Sequence, residues 1–497
     1  MDRHHVKNPQ FVLYGIFYLV IFVGIFLALY QFIFNRSLWL DEAMLALNII
    51  ERGFSELTQP LDCNQVAPIG FLFVERVSVL ILGNNEYALR IVPLISFLAS
   101  IPLLYLLAGK LTGNRMIALL STSIFSITLR LLRYSSEVKQ YSSDVLFAVL
   151  ILYCCLTLKP NTNRSLLIYA VIGGVALLFS NIAVIILFVA GIYFLYSEFY
   201  TNKNFRIVLP LLFWAIVFCI YYVLFVHNHP HTERMLNYWR EAFLPLNPFS
   251  AGFYLFLFRA AKDIYSYLLG FSFLWYIPSS ISIAAVGFML KRRKYTVLYF
   301  CLAPIAVHLF LSGLMLYPFK GRFLLYSTPL IILVFSIGLY ELFEFADKRI
   351  LALPRFLLII PVLAMFYPIY LNFPVQIQEI KQSLNYMESN IKRDETIYVY
   401  CNSRSAFKYY KDTKVVKIDN PVRLGAFHHE EKHKYDAELL NLKGKVWLVF
   451  SHVYHASQPD SEEAYMINTL ISNGSKLLDV KKYKGSSVYY IDTGDTV

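Results

Sequence analysis

Two adjacent carboxylates, Asp41 and Glu42, follow directly after a long apolar segment near the start of the chain. That segment, residues 11–34, is long enough to cross a bilayer. Carboxylates at the mouth of a membrane span are costly to hold near hydrocarbon, which makes them candidates for a functional site. The alternative is an acidic pair that only marks where a helix leaves the membrane. We predict that both carboxylates are catalytic.

A second polar segment, residues 133–144, lies between two apolar runs. If this segment is helical, four of its side chains share one face, because they are three or four residues apart: Tyr134, Glu137, Tyr141 and Asp144. Lys139 lies off that face and could reach a neighbouring segment. We predict that Glu137 is catalytic. We predict that Lys139, Tyr141 and Asp144 bind substrate, against the alternative of a solvated helix start.

A third polar segment, residues 317–322, carries Lys320 and Arg322 just before another apolar run. Arginine binds phosphate through two parallel hydrogen bonds, and lysine provides a point charge. Near a membrane surface, these two side chains could bind the phosphate of a lipid. The alternative is that they only extend toward lipid head groups. We predict substrate binding for both.

These residues together suit the transfer of a sugar from a lipid phosphate to an acceptor hydroxyl. The acceptor proton needs a base, and a carboxylate such as Asp41 can take it. The leaving phosphate is already a stable anion, so it needs positive charge more than a general acid. Lys139, Lys320 and Arg322 could supply that charge. The lipid tail of the donor would need a binding site within the membrane.

Composition indicates a multi-pass membrane protein. The chain has 497 residues, of which 57% are hydrophobic and only 16% charged, whereas soluble proteins have about 25% charged residues. Apolar runs of near-spanning length recur along the chain. We predict eleven membrane spans, which begin near Phe11, Glu86, Arg115, Ser143, Leu166, Asn181, Ile207, Leu269, Tyr295, Phe323 and Arg355.

The distribution of lysine and arginine predicts the orientation in the membrane. Alternate short loops are basic, which places them and the N-terminus in the cytoplasm. The external loops are then residues 35–85, 132–143, 227–268 and 317–322. Segments 42–50 and 68–82 of the first loop are predicted to be amphipathic helices that cover a cavity. The net charge of +12 is spread through loops and does not indicate nucleic-acid binding.

The sequence changes character near residue 376, so we divide the chain into a membrane domain, 1–375, and an external α/β domain, 376–497. Helical spacing of apolar residues begins the second domain. Strands are predicted at 396–401, 414–418, 446–453 and 488–491, and a helix at 461–472. No phosphate-binding glycine loop is present. We therefore expect this domain to support the chemistry or to handle the acceptor.

No residue spacing typical of a zinc site is present. The alternating His227, His229 and His231 could bind a metal, but no carboxylate or further histidine stands at ligand spacing apart from Glu233. The histidines of the tail, at 428, 429 and 433, indicate a metal even less. We predict no metal-binding residues and no certain cofactor, and leave a divalent cation open.

Several motifs resemble those of the GT-C glycosyltransferases, which use polyprenyl-phosphate sugars. The similar segments are Leu38-Trp39-Leu40-Asp41-Glu42-Ala43, Ala67-Pro68-Ile69-Gly70-Phe71 and Glu86-Tyr87-Ala88-Leu89-Arg90. This superfamily includes the protein O-mannosyltransferases and the bacterial aminoarabinose transferases. The segment 136–144 more closely resembles a bacterial subgroup named for rhizobial lipopolysaccharide glycosyltransferases. The resemblance covers roughly residues 10–350.

The resemblance implies an external active site in the plasma (inner) membrane and an inverting transfer of a hexosyl or pentosyl group. The implied donor is a polyprenyl-phosphate sugar, and the acceptor is a glycolipid, glycan or protein. Asp41 matches the base, Glu137 matches an acidic residue that orients the acceptor or a metal, and Arg322 matches a basic residue before a late span. Aminoarabinose transferases carry a Lys-Pro-Pro segment where this chain has residues 65–68, so their phosphate-binding lysine is missing here.

The sequence therefore predicts an α-helical multi-pass membrane protein of about eleven transmembrane helices, similar to GT-C enzymes, with a small C-terminal α/β domain that is periplasmic or extracellular. One alternative function is a membrane transporter or lipid flippase. No internal repeat relates two halves of the chain, and the reactive residues gather on one side. A second alternative, an assembly module, leaves the loop chemistry unexplained.

Overall fold

The structure is a computed structural model that describes residues 9–227, 232–271, 274–349, 355–454 and 461–494. His229 and His231, part of the histidine alternation, lie outside the described residues. Within the described residues, the N-terminal three-quarters of the chain is helical, and a single sheet lies in the C-terminal quarter.

The membrane domain contains seventeen described α-helices. In chain order they are α1 Pro9–Phe34, α2 Leu40–Glu51, α3 Ile69–Leu82, α4 Ile91–Thr112, α5 Arg115–Ser126, α6 Leu129–Tyr134, α7 Tyr141–Thr157, α8 Asn163–Phe179, α9 Ala183–Phe194, α10 Val208–Tyr221, α11 Thr232–Tyr238, α12 Ala251–Lys262, α13 Tyr276–Lys291, α14 Tyr295–Gly313, α15 Thr328–Arg349, α16 Ile360–Ala364 and α17 Phe366–Asn372.

Seven helical segments among the described residues are long and apolar enough to cross a membrane. They are Gln10–Phe34, Ile91–Thr112, Ala183–Thr201, Phe205–Val226, Tyr295–Gly313, Gly321–Lys348 and Arg355–Asn372. Four shorter apolar helices, α5, α7, α8 and α13, coincide with further predicted spans. The prediction of a multi-pass membrane protein is confirmed, and the count of eleven spans remains a prediction.

The outer surfaces of the helices suit lipid. Phe22 and Leu209 are about two-thirds exposed on α1 and α10. An exposed apolar side chain costs no free energy when the surrounding solvent is hydrocarbon. By contrast, the span that includes α15 is 83% buried over its most apolar stretch. We infer that α15 lies inside the helical bundle.

The first loop forms two helices, as predicted. α2 carries Asp41 and Glu42 in its first turn, where negative charge stabilises the positive end of the helix dipole. α3 follows Pro68, whose fixed φ suits a helix start. Gly70 lets α3 approach α8, because a β-carbon at residue 70 would lie 2.8 Å from the carbonyl oxygen of Leu178.

The second polar segment is not a continuous helix, so a shared helical face for residues 134–144 is wrong. α6 ends at Tyr134, residues 135–140 form turns, and α7 begins at Tyr141. The physical reason is that backbone groups of this segment bond elsewhere. The N–H of Val138 donates to Glu42 at 2.9 Å, and the carbonyl of Ser136 accepts from Arg36 at 3.2 Å.

The C-terminal domain is a five-stranded mixed sheet with helices. Its helices are α18 Ile380–Asn390, α19 Arg404–Asp412, α20 Lys434–Leu440 and α21 Glu462–Ser472. Its strands are β1 Thr396–Val399, β2 Val422–Leu424, β3 Lys445–Ser451, β4 Lys476–Tyr483 and β5 Ser486–Asp492, in the order β2-β1-β3-β5-β4. β1 pairs in parallel with β2 and β3, whereas β5 pairs antiparallel with β3 and β4.

Three of the four predicted strands and the helix at 461–472 are confirmed, and the strand at 414–418 is wrong. Residues 415 and 416 instead donate their backbone N–H groups to the carbonyl of Tyr410, which closes the end of α19. β4 escaped prediction because it is an exposed edge strand with three lysines and little apolar alternation. Charged side chains at an edge strand hinder pairing with other chains.

The C-terminal domain packs directly on α2. One hydrophobic core joins Ala43 and Ile49 of α2 to Leu384 of α18 and Phe407 of α19. All four side chains are at most 3% exposed. The surface that carries Asp41 is therefore built from both domains.

Candidate active site

Asp41 and Arg322 form an ion pair between the first and third polar segments. Arg322 Nη1 donates to Asp41 Oδ2 at 2.6 Å, and both side chains are about one-fifth exposed. Burial disfavours the ionised carboxyl, but the charges of Lys139 and Arg322 and the hydrogen bond from Arg322 outweigh it and lower the pKa of Asp41. Asp41 is therefore a carboxylate at neutral pH.

Lys139 joins this pair from the second polar segment. Its side chain is buried, and Nζ donates to Gln65 Oε1 at 2.5 Å. Burial lowers the pKa of Lys139 to about 8, with Arg322 acting in the same direction and Asp41 in the opposite one. Two cations, Lys139 and Arg322, thus act on one carboxylate, and this excess of positive charge favours an anionic ligand.

Glu42 points away from this group into a buried ion network. It is fully buried, and it lies 2.5 Å from Arg36 Nη1 and 3.1 Å from Arg90 Nη2. Arg90 also donates to the carbonyl of Arg36 at 2.8 Å. Burial opposes the charge of Glu42, but the two guanidinium groups prevail and lower its pKa. The network fixes the chain that leads into α2.

Glu137 belongs to the same network rather than to the open part of the site. It is fully buried; Arg133 Nε donates to its Oε2 at 2.9 Å, and Arg36 Nη2 lies 3.6 Å from the same oxygen. Its other oxygen has no hydrogen-bond partner in the described part of the chain. Both predicted carboxylates beside Asp41 are therefore already paired with arginine.

Aromatic rings surround Arg322. Its guanidinium lies 5.9 Å from the ring of Tyr141 and 5.7 Å from that of Trp239. Arg133 lies 5.6 Å from the ring of Trp39. Such rings bind cations through their faces and also suit the apolar faces of sugars. The structure thus brings together Asp41, Lys139, Tyr141 and Arg322.

Lys320 and Asp144 have no direct contact with Asp41, although the charge of Asp144 acts on Tyr141. Lys320 is exposed, and its charge acts on Asp263. Asp144 is buried in the first turn of α7, and its Oδ1 has no hydrogen-bond partner within the described ranges. No contact joins either residue to Asp41 among the described hydrogen bonds and ion pairs. Their predicted role in substrate binding remains untested.

The C-terminal domain holds the backbone that precedes Asp41. The N–H of Ser37 donates to Glu379 at 3.3 Å, that of Leu38 to Tyr410 at 2.7 Å, and that of Leu40 to Gln378 at 3.0 Å. The N–H groups at the start of a helix lack intrahelical partners and need such acceptors. Side chains from the tail thereby set where α2 begins.

The C-terminal domain also brings His452 to Asp41. The charge of Asp41 acts on His452, and the rings of Trp39 and His452 have centroids 6.2 Å apart. His452 also lines a cavity of about 360 Å³ with Gln378, Glu463, Lys482 and Ser487. A polar cavity therefore lies in the C-terminal domain on the side that adjoins Asp41.

Residues of the site that escaped the sequence-based prediction include Arg36, Gln65, Arg90, Arg133, Trp239 and His452. Arg36 had a signal, because a buried carboxylate at Glu42 needs a cation and Arg36 is close in sequence. Arg90 belongs to the GT-C-like motif at residues 86–90, but no role was predicted for it. His452 had no signal, since only the packing of the two domains brings it near Asp41.

Comparisons with known proteins bear on the fold and on one segment of the sequence. Residues 66–226 match the family model of the dolichyl-phosphate-mannose-protein mannosyltransferases. The crystal structure of ArnT from Cupriavidus metallidurans in the apo state has a TM-score of 0.52 at 12% identity, over 97% of each chain. ArnT bound to undecaprenyl phosphate gives 0.52 at 12% identity, over 96% of this chain and 97% of that one.

A third solved structure, the apo oligosaccharyltransferase of Archaeoglobus fulgidus, has a TM-score of 0.51 at 12% identity, over 88% of this chain and 69% of that one. No curated protein sequence matches the chain. The fold and the matched segment place the protein in a class: it is a multi-pass membrane protein with the fold of the GT-C glycosyltransferases. The predicted resemblance to these enzymes is confirmed.

Proposed function

We propose that the protein is a membrane glycosyltransferase that moves a sugar from a polyprenyl-phosphate donor to an acceptor hydroxyl on the external face. The acceptor is a glycolipid, a glycan or a protein. The observation that carries the proposal is the group of Asp41, Lys139 and Arg322. It combines one ionised carboxylate with two cations beside the ends of two apolar helical segments, Gln10–Phe34 and Gly321–Lys348.

In this proposal, Lys139 and Arg322 bind the donor phosphate. Arg322 has one N–H on Asp41 and further donors for phosphate oxygens, and Lys139 contacts Gln65. Residues 65–68 stand where aminoarabinose transferases carry their Lys-Pro-Pro segment. Lys139 thus brings positive charge to the place of the missing lysine. ArnT bound to undecaprenyl phosphate supports a donor of this lipid class.

Asp41 takes the acceptor proton while the sugar–phosphate bond breaks. A single base and a good leaving group suit direct displacement, which inverts the configuration at the sugar carbon. The acceptor hydroxyl approaches from the C-terminal domain, where His452 connects Asp41 to the polar cavity. Glu42 and Glu137 act as positioning residues, because each is buried and paired with arginine.

A glycan profile of cells that lack the gene tests the proposal. We expect one surface glycan, glycolipid or glycoprotein to lose a sugar, and a lipid-linked form of that sugar to accumulate. Re-expression of the wild-type chain should restore the product. A transporter or lipid flippase would instead leave its lipid substrate on the cytoplasmic face of the membrane, and lectin accessibility of the accumulated lipid in intact cells separates the two functions.

The role of Lys139 gives a pH-dependent prediction. Its pKa of about 8 means that the ammonium group is lost as the pH rises through about 8. If Lys139 binds phosphate, kcat/KM for the donor should fall above that pH, because this parameter follows the free enzyme. Lys139→Arg keeps its charge at every accessible pH, so the fall should move to higher pH. Initial rates across the alkaline range measure this.

Lys320→Ala is the control for that experiment. Lys320 is exposed and separate from Asp41, so its removal should change neither the donor KM nor the pH profile. If the pH profile of kcat/KM is identical in the wild type and in Lys139→Arg, Lys139 does not bind the donor phosphate. A loss of donor affinity in Lys320→Ala would restore the predicted role of Lys320.

A further inference from the structure

Three side chains with metal-binding atoms cluster in the C-terminal domain. The sulfur of Cys401, a ring nitrogen of His429 and a carboxylate oxygen of Glu462 all lie within 4.8 Å of one another. Cys401 and Glu462 are buried, whereas His429 is partly exposed. In the sequence, His429 was only a weak candidate for metal binding, and Cys401 and Glu462 gave no sign of it, because each residue comes from a different connection of the sheet.

The cluster lies at the edge of the sheet where ligands bind in α/β proteins. Cys401 follows β1, His429 lies in the connection after β2, and Glu462 begins α21 after β3. β1 is parallel to both β2 and β3, so all three connections leave the sheet from the carboxyl ends of the strands. That edge is the usual position of ligand sites in open α/β sheets.

Glu462 is a fully buried carboxylate with little compensating charge. Its Oε2 accepts hydrogen bonds from the hydroxyls of Tyr400 at 2.5 Å and Tyr435 at 3.0 Å. Its described ion pair, with His429 at 3.0 Å, exists only when the histidine is protonated. Neutral hydroxyls orient a carboxylate but do not neutralise it, and a buried charge is normally paired or bound to a metal.

The surrounding tyrosines already orient the ligands. The hydroxyl of Tyr435 lies 3.6 Å from the sulfur of Cys401, so it contacts two members of the cluster. The ring of Tyr454 packs on that of His429, with centroids 4.7 Å apart. Metal ligands are typically held by such outer hydrogen bonds and contacts.

We propose that Cys401, His429 and Glu462 bind a divalent metal ion, with zinc as the expected occupant. Thiolate, imidazole and carboxylate are all zinc ligands, and tetrahedral bonds of about 2.0–2.3 Å place ligand atoms about 3.4–3.8 Å apart. The widest separation in the cluster, at most 4.8 Å, needs to shorten by only about 1 Å, and the 3.0 Å contact of His429 with Glu462 needs to lengthen slightly. Binding releases the thiol proton to solvent. Water takes the fourth position from the exposed side of His429.

The ion would stabilise the segment that holds His452 near Asp41. The N–H of Tyr454 donates to the hydroxyl of Tyr400 at 3.2 Å, and the side chain of Asn402 donates to the carbonyl of His452 at 2.9 Å. Both partners are sequence neighbours of Cys401. Metal binding therefore stabilises the segment next to the candidate active site and takes no part in the chemistry.

The test uses the full-length protein in detergent, purified through a tag without histidines. After treatment with a chelator and reloading with zinc, elemental mass spectrometry should find about one zinc ion per chain. Loading with cobalt instead should give a thiolate-to-cobalt absorption band, because Cys401 is a ligand. Cys401→Ser should abolish the band, and His429→Gln should lower zinc affinity by more than about 100-fold.

His428→Gln is the matched control. His428 adjoins His429 but pairs with Glu438 at 2.9 Å, so this variant should bind zinc like the wild type. Zinc binding below about a tenth of an equivalent, or a cobalt complex without the thiolate band, overturns the proposal. If Cys401→Ser does not fold, Tyr435→Phe serves as the second test of zinc binding, because it keeps all three ligands. Its zinc affinity should fall by about 10–100-fold, and an unchanged affinity overturns the proposal.

Discussion

Asp41→Asn is expected to lower the rate of sugar transfer by about 10²–10⁴-fold, the usual contribution of a general base. Asparagine has nearly the same shape as aspartate and can still accept a hydrogen bond from Arg322. It cannot accept the acceptor proton as a carboxylate does. Membrane insertion and donor binding should therefore persist. Transfer of labelled sugar in membrane vesicles, normalised to the amount of protein, measures the change in rate.

Asp62→Asn provides the matched control. Asp62 lies in the same loop and pairs with Arg52, but its side chain is 73% exposed. The same chemical change at that position should leave transfer within about twofold of the wild type, since exposed ion pairs contribute little. Asp41→Asn with more than half of the wild-type rate would show that the base is another group.

Glu42→Gln is expected to lower the free energy of unfolding by about 3–5 kcal/mol, because it removes the carboxylate that pairs with the buried guanidinium groups of Arg36 and Arg90 and leaves Arg36 with the more distant Glu137, at 3.6 Å. Such a loss is a large part of the stability of most proteins. The amount of folded protein should fall with it. Size-exclusion profiles after a series of heating steps in detergent measure the midpoint of the loss.

Glu51→Gln tests whether that effect depends on burial. Glu51 ends the same helix and pairs with Lys408, but its side chain is 43% exposed. Its substitution should cost less than about 1 kcal/mol. The activity of the folded fraction of Glu42→Gln is the second measurement. A stable Glu42→Gln protein without transfer activity would return Glu42 to the catalytic role that its sequence position predicted.

The sequence was sufficient for the parts of the fold that depend on local patterns. Apolar runs predicted the membrane helices, and apolar periodicity after Trp39 and Pro68 predicted α2 and α3. The first and third polar segments were placed on the same side of the membrane, and the structure joins them through Asp41 and Arg322. The sequence could have predicted this ion pair, because charged side chains near hydrocarbon usually pair with an opposite charge.

The rest of the site depends on contacts between distant segments. The turn at 135–140 replaces a helix because Glu42 and Arg36 bind its backbone, and no local pattern records those bonds. The same holds for Glu137, which the sequence presented as an open carboxylate and the structure buries between Arg36 and Arg133. Tertiary bonds of this kind override local preference and can be known only from the folded chain.

The bonds from Glu379, Tyr410 and Gln378 to the backbone before Asp41 bear on how this chain can be engineered. Truncation near residue 375 would keep Asp41, Lys139 and Arg322 yet strip the acceptors from the N–H groups that lead into α2. The truncated chain would keep these reactive side chains, but the backbone that positions Asp41 relative to Lys139 and Arg322 would no longer be held. For the same reason, a graft of a foreign tail onto these membrane helices would have to reproduce those three acceptors, and the two halves are not interchangeable modules.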